Sequence, residues 1–354
     1  MMGPLFALHR LGSRADDDGE NPHDKLPYKL SNPFTIMAYY AIDWVAAIAL
    51  VLLTVFARRI ARSPRFYEDN DPSFSYPYQE DTVSTTALGF IGVGVPLVTG
   101  ILTEMVLMAR LRAWPFFLDA HAFCLGIMQS HALAQLVTIV LKGSVGRLRP
   151  SAFGRREKGG YSWNESFPSG HTSLSFTGMV FLALFLAAKS GIFCKRGLLF
   201  YTTSDRQGDP FRGSFAIGLG VFVAPLALAI FVGASRLIDY AHDFSDVNAG
   251  AAIGTAAAVF AYHCNYPSIT SELGALPRPL AHLHCADPDW IRYYHHAQIS
   301  SLPLHAADRE FDEGSVPLRE ASSQSATELT RVDEVGNNRH GSHHSNISNR
   351  SSDS

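Results

Sequence analysis

Long stretches with few charges limit what this chain can fold into. An α-helix rises 1.5 Å per residue, so about 20 apolar residues are needed to cross the hydrocarbon core of a bilayer. Six stretches of roughly that length lie at residues 36–57, 87–109, 119–141, 171–188, 214–234 and 246–264. None of them alternates apolar and polar residues as strands do. We therefore expect an all-α membrane protein with about six transmembrane helices.

The composition agrees with this class and argues against others. Hydrophobic residues make up 47% of the chain and charged residues only 17%, a balance typical of membrane proteins. The formal net charge of -3 provides no strongly basic domain, so we expect no nucleic-acid partner. None of the four cysteines forms a CxxC pair, which indicates neither a zinc site nor a disulfide framework.

The pattern divides the chain into three regions. Residues 1–35 are predicted to be a cytosolic segment without a signal peptide, 36–266 the membrane domain, and 267–354 a cytosolic tail. From about residue 300 the tail is too polar to bury a core, so we expect it to be largely disordered. The sequence leaves the protein partners of this tail open.

The orientation in the membrane depends on one short sequence. Basic residues follow both the first and the fourth span, so the positive-inside rule does not decide it. Asn164-Glu165-Ser166 is an acceptor sequence for N-glycosylation between spans three and four. With cytosolic termini, this loop would be lumenal or extracellular. We expect a multi-pass protein of an endomembrane or of the plasma membrane.

Some ionisable residues lie within the first three spans. Among them are Asp43, Glu104, His121 and His131. Such side chains are costly against lipid, so they should face the bundle or lie near an interface. A polar contact between helices explains them more simply than a transport pathway, because inverted repeats and paired broken helices are not evident.

A first polar cluster ends the third span. Lys142 and Arg149 are seven residues apart, so on one helix they would share a face, and Pro150 favours termination there. Two cations would then meet at a helix end near the interface. The alternative is a basic cap whose side chains extend to lipid headgroups.

A second cluster, Pro168-Ser169-Gly170-His171, opens the fourth span. A helix that begins with Pro, Ser and Gly presents free backbone amides at its positive end, which is suited to an anion. His171 lies beside that position. An ordinary helix start with an incidental histidine is the alternative.

The third cluster runs from Arg236 and Asp239 at the end of the fifth span to His242 and Asp246 at the start of the sixth. His242 and Asp246 are four residues apart, so on a helix the carboxylate can accept from one ring nitrogen and leave the other as a nucleophile. A surface pair is the alternative.

Six spans would place all three clusters on the same side of the membrane. Cations, amides, two histidines and one carboxylate then surround a single site, an inventory that fits phosphoryl transfer. No carboxylate cluster suited to Mg²⁺ occurs on that side, so we expect a reaction without a metal or other cofactor.

The three clusters together resemble the signature of the type 2 phosphatidic acid phosphatase, or lipid phosphate phosphatase, superfamily. The residues around these clusters are similar to those of the eukaryotic branch that acts on phosphatidate and diacylglycerol pyrophosphate. These residues are Val145-Gly146-Arg147-Leu148-Arg149-Pro150, Ser166-Phe167 and Asp239-Tyr240. Asp243 departs from the pattern, since many members have a second histidine there.

The resemblance implies a six-helix core like that of vanadium haloperoxidases and a role for each residue of the signature. His242 would attack phosphorus, Asp246 would orient it, and His171 would be the general acid and base. The phosphate would be bound by Lys142, Arg149, Ser169, Gly170 and Arg236, with Arg147 and Asp239 as secondary candidates. The substrate would be a lipid phosphate in the bilayer. A sphingoid base phosphate, a polyprenyl pyrophosphate and a non-catalytic scaffold remain as alternatives.

Overall fold

The computed structural model describes residues 38, 40–59, 65–69, 71–110, 116–160, 162–193, 214–271 and 273–279. These residues form helices, and no strand occurs among them, which confirms the all-α prediction. The α-helices are α1 (Ala41–Ala57), α2 (Thr85–Gly89), α3 (Val95–Arg110), α4 (Phe116–Val145), α5 (Ala152–Glu157), α6 (Gly170–Ser190), α7 (Phe215–Gly218), α8 (Ala224–Ile238) and α9 (Phe244–Asn265). The π-helical turns Phe90–Gly94 and Leu219–Val223 join α2 to α3 and α7 to α8.

Each predicted span coincides with a helix in the described part of the chain. Five helical units are long and apolar enough to cross a membrane, namely Thr85–Ala109, Phe117–Val145, Gly170–Ser190, Phe215–Ile238 and Phe244–Asn265. The first span corresponds to α1, a shorter apolar helix of 17 residues. A multi-pass membrane protein of about six spans is therefore confirmed.

Helix α6 is the centre of the bundle and packs against α3, α4, α8 and α9. Its Phe181 and Phe185 meet Phe123 of α4 and the tyrosines Tyr262 and Tyr266, with ring centroids 4.4 to 5.9 Å apart. Buried rings in tilted and edge-on contact contribute packing energy beyond the area that they bury. This aromatic core fixes α6 relative to α4 and α9.

Glycines bring α9 very close to the start of α6. A Cβ added at Gly250 would lie 2.6 Å from the carbonyl oxygen of Ser169, and one at Gly254 would lie 2.5 Å from that of Ser173. Both distances are too short for a real side chain, so glycine allows this approach. The loops that precede α6 and α9 are consequently neighbours.

A buried ionic cluster lies at the other end of α6. The ammonium group of Lys189 contacts the Asp119 carboxylate, lies 3.2 Å from Glu104 Oε1 and donates to the carbonyl oxygen of Ala275 at 2.7 Å. Tyr266 donates its hydroxyl hydrogen to Asp119 Oδ1 at 2.8 Å. The prediction that Glu104 faces the bundle is confirmed.

The other polar residues of the first three spans are also accommodated. Trp44 Nε1 donates to His121 Nε2 at 2.8 Å, and His131 Nε2 lies 3.1 Å from the carbonyl oxygen of Gly92 in the first π-helical turn. Asp43 is exposed in the first turn of α1, near a helix end. One ring nitrogen of each histidine therefore has a partner in another helical segment, whereas Nδ1 of both rings is buried without a hydrogen-bond partner among the described residues.

The packed part of the chain continues beyond the predicted domain boundary at residue 266. Ala275 is only 2% exposed, and Ile269 and Leu276 pack against the central core. The boundary between membrane domain and tail was thus placed too early, because the Lys189 bond to the Ala275 carbonyl holds this segment on the bundle. Residues 1–35 and 280–354, which include the predicted disordered tail, lie outside the described residues.

Candidate active site

The first cluster spans a helix end rather than a helix face. Helix α4 stops at Val145, and Gly146 follows with φ 57°, a left-handed conformation that suits glycine. Arg149 therefore lies in a loop, and the prediction that Lys142 and Arg149 share one helical face is wrong. Both side chains nevertheless reach the same region.

Arg149 is held by backbone oxygens from two loops. Its Nε donates to the carbonyl oxygen of Ser162 at 2.8 Å, and its Nη1 donates to that of Ala241 at 3.2 Å. Burial and the nearby charge of Arg155 lower the pKa of Arg149 to about 10. The group remains a cation at neutral pH, and its fixed position prepares it to bind an anion.

The start of α6 provides hydrogen-bond donors. Ser169 is the N-cap, and its Oγ accepts from the Thr172 hydroxyl at 2.9 Å, so its own hydroxyl hydrogen can point to a ligand. Its backbone N–H already donates to the Asp246 carbonyl oxygen at 3.0 Å. Gly170 and His171 occupy the first turn, where amides lack partners within the helix.

Lys142 and Gly170 are neighbours. A Cβ added at Gly170 would lie 3.6 Å from Lys142 Cε, and Lys142 Nζ donates to the carbonyl oxygen of Glu165 at 2.7 Å. The loop before α6 therefore positions this ammonium group beside the positive end of the helix.

Arg236 and Asp239 form a buried pair at the end of α8. Arg236 Nη2 contacts Asp239 Oδ2, and Arg236 Nη1 lies 3.2 Å from Asp81 Oδ1. Asp239 also accepts from the backbone N–H and the hydroxyl group of Thr82, at 2.9 and 2.5 Å. Asp239 thus fixes the guanidinium group of Arg236 and does not itself face an anion.

A strained turn leads from this pair to His242. Tyr240 has φ 49°, which is uncommon for a residue with a side chain. The turn is held from outside, because Tyr240 stacks on Tyr76 at 4.9 Å and its carbonyl oxygen accepts from Ser151 Oγ at 2.8 Å. This conformation directs the carbonyl of Ala241 towards Arg149.

His242 precedes α9 instead of lying on it. Its Nδ1 is 2.7 Å from the carbonyl oxygen of Ser166, which can only accept, so Nδ1 carries the hydrogen and Nε2 has the lone pair. Nε2 lies 3.5 Å from Arg149 Nη1. Burial, together with the charge of Arg149, lowers the pKa of His242 well below its ordinary value. The ring is therefore neutral at neutral pH, with Nε2 facing a cation.

Asp246 positions the His242 ring largely through Ser166. Its Oδ2 is 3.7 Å from His242 Nδ1, beyond hydrogen-bond distance, so the direct effect is that of a nearby charge. The same oxygen accepts from Ser166 Oγ at 2.5 Å and from the Asp243 N–H at 3.0 Å. Because Ser166 also provides the carbonyl that holds the ring, Asp246 positions the ring through that residue.

Arg147 connects the first cluster to the third. Its Nη1 donates to Asp246 Oδ1 at 2.8 Å and to Ser245 Oγ at 2.5 Å, and its Nη2 contacts Asp243. Arg147 therefore supports Asp246. Asp243, at the position where the sequence departs from the superfamily pattern, forms the N-cap of α9.

His171 completes the group. Its ring makes a hydrogen bond with the backbone of Val83, whereas its Nε2 is buried and has no hydrogen-bond partner among the described residues. A buried ring nitrogen without a partner is costly, so its hydrogen-bonding capacity suits a ligand. Val83 lies two residues from Asp81, whose Oδ1 is 3.2 Å from Arg236 Nη1, so one short loop connects His171 to Arg236.

Sequence reasoning missed several residues of the site. The consecutive residues Asp81, Thr82 and Val83 contact Arg236, Asp239 and His171, respectively. They belong to a polar loop in which nothing distinguishes Asp81 from its acidic neighbours. Ser166 was noticed only as a flank of the second cluster, and no sequence signal indicates that its carbonyl holds His242.

No group of three or more His, Cys, Asp or Glu side chains that could hold a metal ion occurs among the described residues. The acidic groups of the site have other partners, since Asp246 and Asp239 accept hydrogen bonds and pair with arginines. The donor set is thus cationic and amide-rich, which suits an anion.

The part of the chain that contains this site matches the model of a known protein family. The PAP2 superfamily model matches residues 123–269, which include all three clusters. No solved structure shows significant similarity to the chain.

Curated relatives support the same grouping. A PA-phosphatase related-family protein of Dictyostelium discoideum is 31% identical over 70% of this chain and 87% of its own length. Lipid phosphate phosphatase 2 of Arabidopsis thaliana is 29% identical over 67% of this chain and 81% of its own length. A probable diacylglycerol pyrophosphate phosphatase of Schizosaccharomyces pombe is 27% identical over 88% and 98%, respectively.

Proposed function

Because this chain belongs to the PAP2 superfamily and is a membrane hydrolase of phosphoric monoesters, we propose that it converts phosphatidate to diacylglycerol. We also propose that it accepts diacylglycerol pyrophosphate and lysophosphatidate. One observation carries the proposal: His242 is held as a neutral ring by the Ser166 carbonyl, with Nε2 3.5 Å from the partly buried Arg149. Such a nitrogen is suited to attack a phosphorus atom bound by that arginine.

In the first step, His242 Nε2 attacks phosphorus and forms a P–N bond. The P–O bond to the lipid breaks, its electron pair goes to the lipid oxygen, and protonated His171 gives that oxygen a proton. Diacylglycerol leaves, and the phosphoryl group remains on His242. The Ser166 carbonyl and the Asp246 charge stabilise the positive charge that develops on the ring.

In the second step, water attacks the phosphohistidine and His171 takes a proton from it. The P–N bond breaks, its electron pair returns to Nε2, and inorganic phosphate leaves. Both histidines are then in their starting states. The unpartnered Nε2 of His171 supports this double role, because it can contact first the lipid oxygen and then water.

The phosphate oxygens would be bound by fixed positive groups. Lys142, Arg149 and Arg236 supply charge, and the Ser169 hydroxyl and the Gly170 amide supply hydrogen bonds. Four of these groups lie at three helix ends and Arg149 lies in a loop held by backbone oxygens, so little reorganisation is needed when charge develops. We therefore propose that activity requires no Mg²⁺ or other cofactor.

A lipid substrate is supported by the place of the site. His242 lies between two membrane-spanning helices, at the end of each, so a headgroup can enter while the acyl chains stay in the bilayer. We propose that this side is lumenal or extracellular and that both termini are cytosolic. Activity in sealed microsomes should then be latent and rise when detergent permeabilises them, and full activity before permeabilisation would contradict this orientation.

A panel of lipids tests the reaction. The purified protein in mixed micelles should release phosphate from phosphatidate in excess EDTA and lose this activity with orthovanadate, which mimics pentacoordinate phosphorus. Cleavage of sphingosine phosphate or polyprenyl pyrophosphate alone would replace the proposed substrate by one of these alternatives. Loss of activity in EDTA would contradict a metal-free site.

The nucleophile is tested by a matched pair of variants. His242→Ala should abolish phosphate release, whereas His263→Ala, which removes an exposed histidine of α9, should leave it unchanged. Incubation of the wild-type protein with ³²P-labelled substrate and acid-stability analysis of the label should identify an acid-labile, base-stable phosphohistidine. Undiminished turnover in His242→Ala would overturn the assignment, and an inactive wild-type protein would favour a scaffold.

A further inference from the structure

Three consecutive loop residues form a part of the site that lies outside the three clusters. Asp81 Oδ1 is 3.2 Å from Arg236 Nη1, Thr82 holds Asp239, and the backbone of Val83 bonds the ring of His171. Thr82 and Val83 hold neighbouring groups in place. Asp81 differs from them because it places a negative charge directly against a cation that the phosphate would use.

The Asp81 carboxylate is shared by two arginines, one buried and one largely buried. Besides its contact with Arg236, its Oδ1 lies 3.6 Å from Arg155 Nη2. The side chains of Arg236 and Arg155 are 1% and 12% exposed, whereas that of Asp81 is 34% exposed. The carboxylate thus covers two inward-facing guanidinium groups from the solvent side, and its partial exposure leaves it room to turn towards water.

The other two nitrogens of Arg236 each have a partner. Its Nη2 pairs with Asp239, and its Nε donates to Ser235 Oγ at 3.2 Å. Nη1 is the nitrogen that faces Asp81, so a phosphate oxygen that binds Nη1 on that side would have to displace the carboxylate. Arg155 is fixed independently, since its Nε donates to Ser151 Oγ at 3.2 Å and its guanidinium group lies over the Tyr78 ring.

We propose that Asp81 competes with the substrate phosphate for Arg236 and Arg155, and that Arg155 is a further phosphate-binding residue. This inference rests on the proposed function and specifies how its pocket binds and releases phosphate. A dianionic phosphate beside Asp81 meets like-charge repulsion, so the carboxylate must turn away on binding. When phosphate leaves, Asp81 returns to the two arginines, which limits inhibition by the product.

A purely structural role for Asp81 predicts the opposite result. If Asp81 mainly positioned Arg236, its removal would loosen that side chain and weaken anion binding. The Asp239 pair and the two Thr82 bonds remain when Asp81 is changed, so Arg236 keeps its position. The sign of the change in affinity therefore separates the two roles.

The test is anion binding to full-length protein in detergent, measured by isothermal titration calorimetry with orthovanadate and with inorganic phosphate. Asp81→Asn should bind both about tenfold more tightly, the change that corresponds to the loss of about 1.4 kcal/mol of competition. Its KM for phosphatidate should fall, and phosphate should inhibit it more strongly. Glu80→Gln, an exposed neighbour, should match the wild-type protein.

A second pair of variants tests Arg155 in the Asp81→Asn background. Arg155→Gln should weaken vanadate binding about tenfold. Arg156→Gln, whose guanidinium group instead contacts the Tyr67 hydroxyl and the Trp163 ring, should not change it. Equal effects of the two arginine variants would overturn the role of Arg155, and thermal unfolding without ligand identifies any variant that fails to fold.

The outcomes distinguish this inference from the proposed function. If the wild-type protein binds vanadate and Asp81→Asn binds it equally or more weakly, the competition is overturned and the proposed function stands. If the wild-type protein neither binds vanadate nor hydrolyses any lipid of the panel, the proposed function itself is overturned.

Discussion

Substitution of Ser166 by alanine tests whether the support of His242 is transmitted through one hydroxyl group. The hydroxyl donates to Asp246 Oδ2 at 2.5 Å, and the carbonyl of the same residue holds the His242 ring. A hydrogen bond to a buried charged group contributes about 2 kcal/mol. We expect Ser166→Ala to lower the free energy of unfolding by about that amount, because Asp246 stays buried with one fewer donor.

The effect on catalysis has an upper limit from the same bond. If the whole 2 kcal/mol were lost in the transition state, kcat would fall roughly 30-fold. We expect a fall of about tenfold to 30-fold with little change in KM, since the phosphate-binding side chains keep their own partners. Phosphate release from phosphatidate in mixed micelles and thermal unfolding in detergent measure the two effects.

Two controls separate this effect from others. Ser166→Ala also removes the glycosylation sequence, so Asn164→Gln, which removes the sequence and keeps the hydroxyl, is the first control. Ser162→Ala makes the same substitution in the same loop and keeps the backbone oxygen that Arg149 uses. A kcat for Ser166→Ala within twofold of both controls would refute the transmission from Asp246 to His242 through Ser166.

Three further predictions concern pH and packing. Burial and the Arg149 charge lower the pKa of His242 well below 6.5, so its Nε2 stays unprotonated when the solution is made mildly acidic. The acidic limb of the pH profile of kcat/KM should therefore lie below pH 6.5. A limb at or above pH 6.5, after correction for substrate ionisation, would contradict this. Lys189→Met leaves the buried Asp119 and Glu104 carboxylates without their cation and should lower the free energy of unfolding by about 3–5 kcal/mol. Adding Asp119→Asn should restore part of that loss. An unchanged melting temperature for Lys189→Met would argue against the ionic cluster. Gly250→Ala places a Cβ 2.6 Å from the Ser169 carbonyl oxygen and should lower the free energy of unfolding by about 1–3 kcal/mol. Gly220→Ala, with open space around it, should lower it much less. Equal melting temperatures for the two variants would show that α9 and α6 do not approach each other so closely.

The sequence predicted the helices and the meeting of the three clusters because both depend on strong local signals. Apolar runs of membrane length set the spans, and a topology of about six spans brings the ends near Lys142, Gly170, Arg236 and His242 to one side. The predicted helical spacing of Lys142 with Arg149 and of His242 with Asp246 did not hold. Arg149 and His242 lie in loops, where spacing along the chain gives no direction for a side chain.

Other parts of the site depend on contacts between distant segments. Asp81 contacts Arg236, which lies 155 positions further along the chain. Ser166 acts on His242 through its backbone oxygen, and every residue has such an oxygen, so the sequence does not mark this contact. The segment after α9 packs on the bundle through Ile269, Leu276 and the Lys189 bond to the Ala275 carbonyl. Composition and periodicity carry no information about such pairings.

The length of α6 relates the site to the two leaflets of the membrane. The helix has 21 residues, so it measures about 31 Å, close to the thickness of the hydrocarbon core. Ser169 caps one end and Lys189 stands near the other, which puts the phosphate pocket at one surface and the ionic cluster at the opposite one. Under the proposed function, a headgroup that reaches His242 comes from a single leaflet, and the dephosphorylated lipid stays in that same leaflet until it flips.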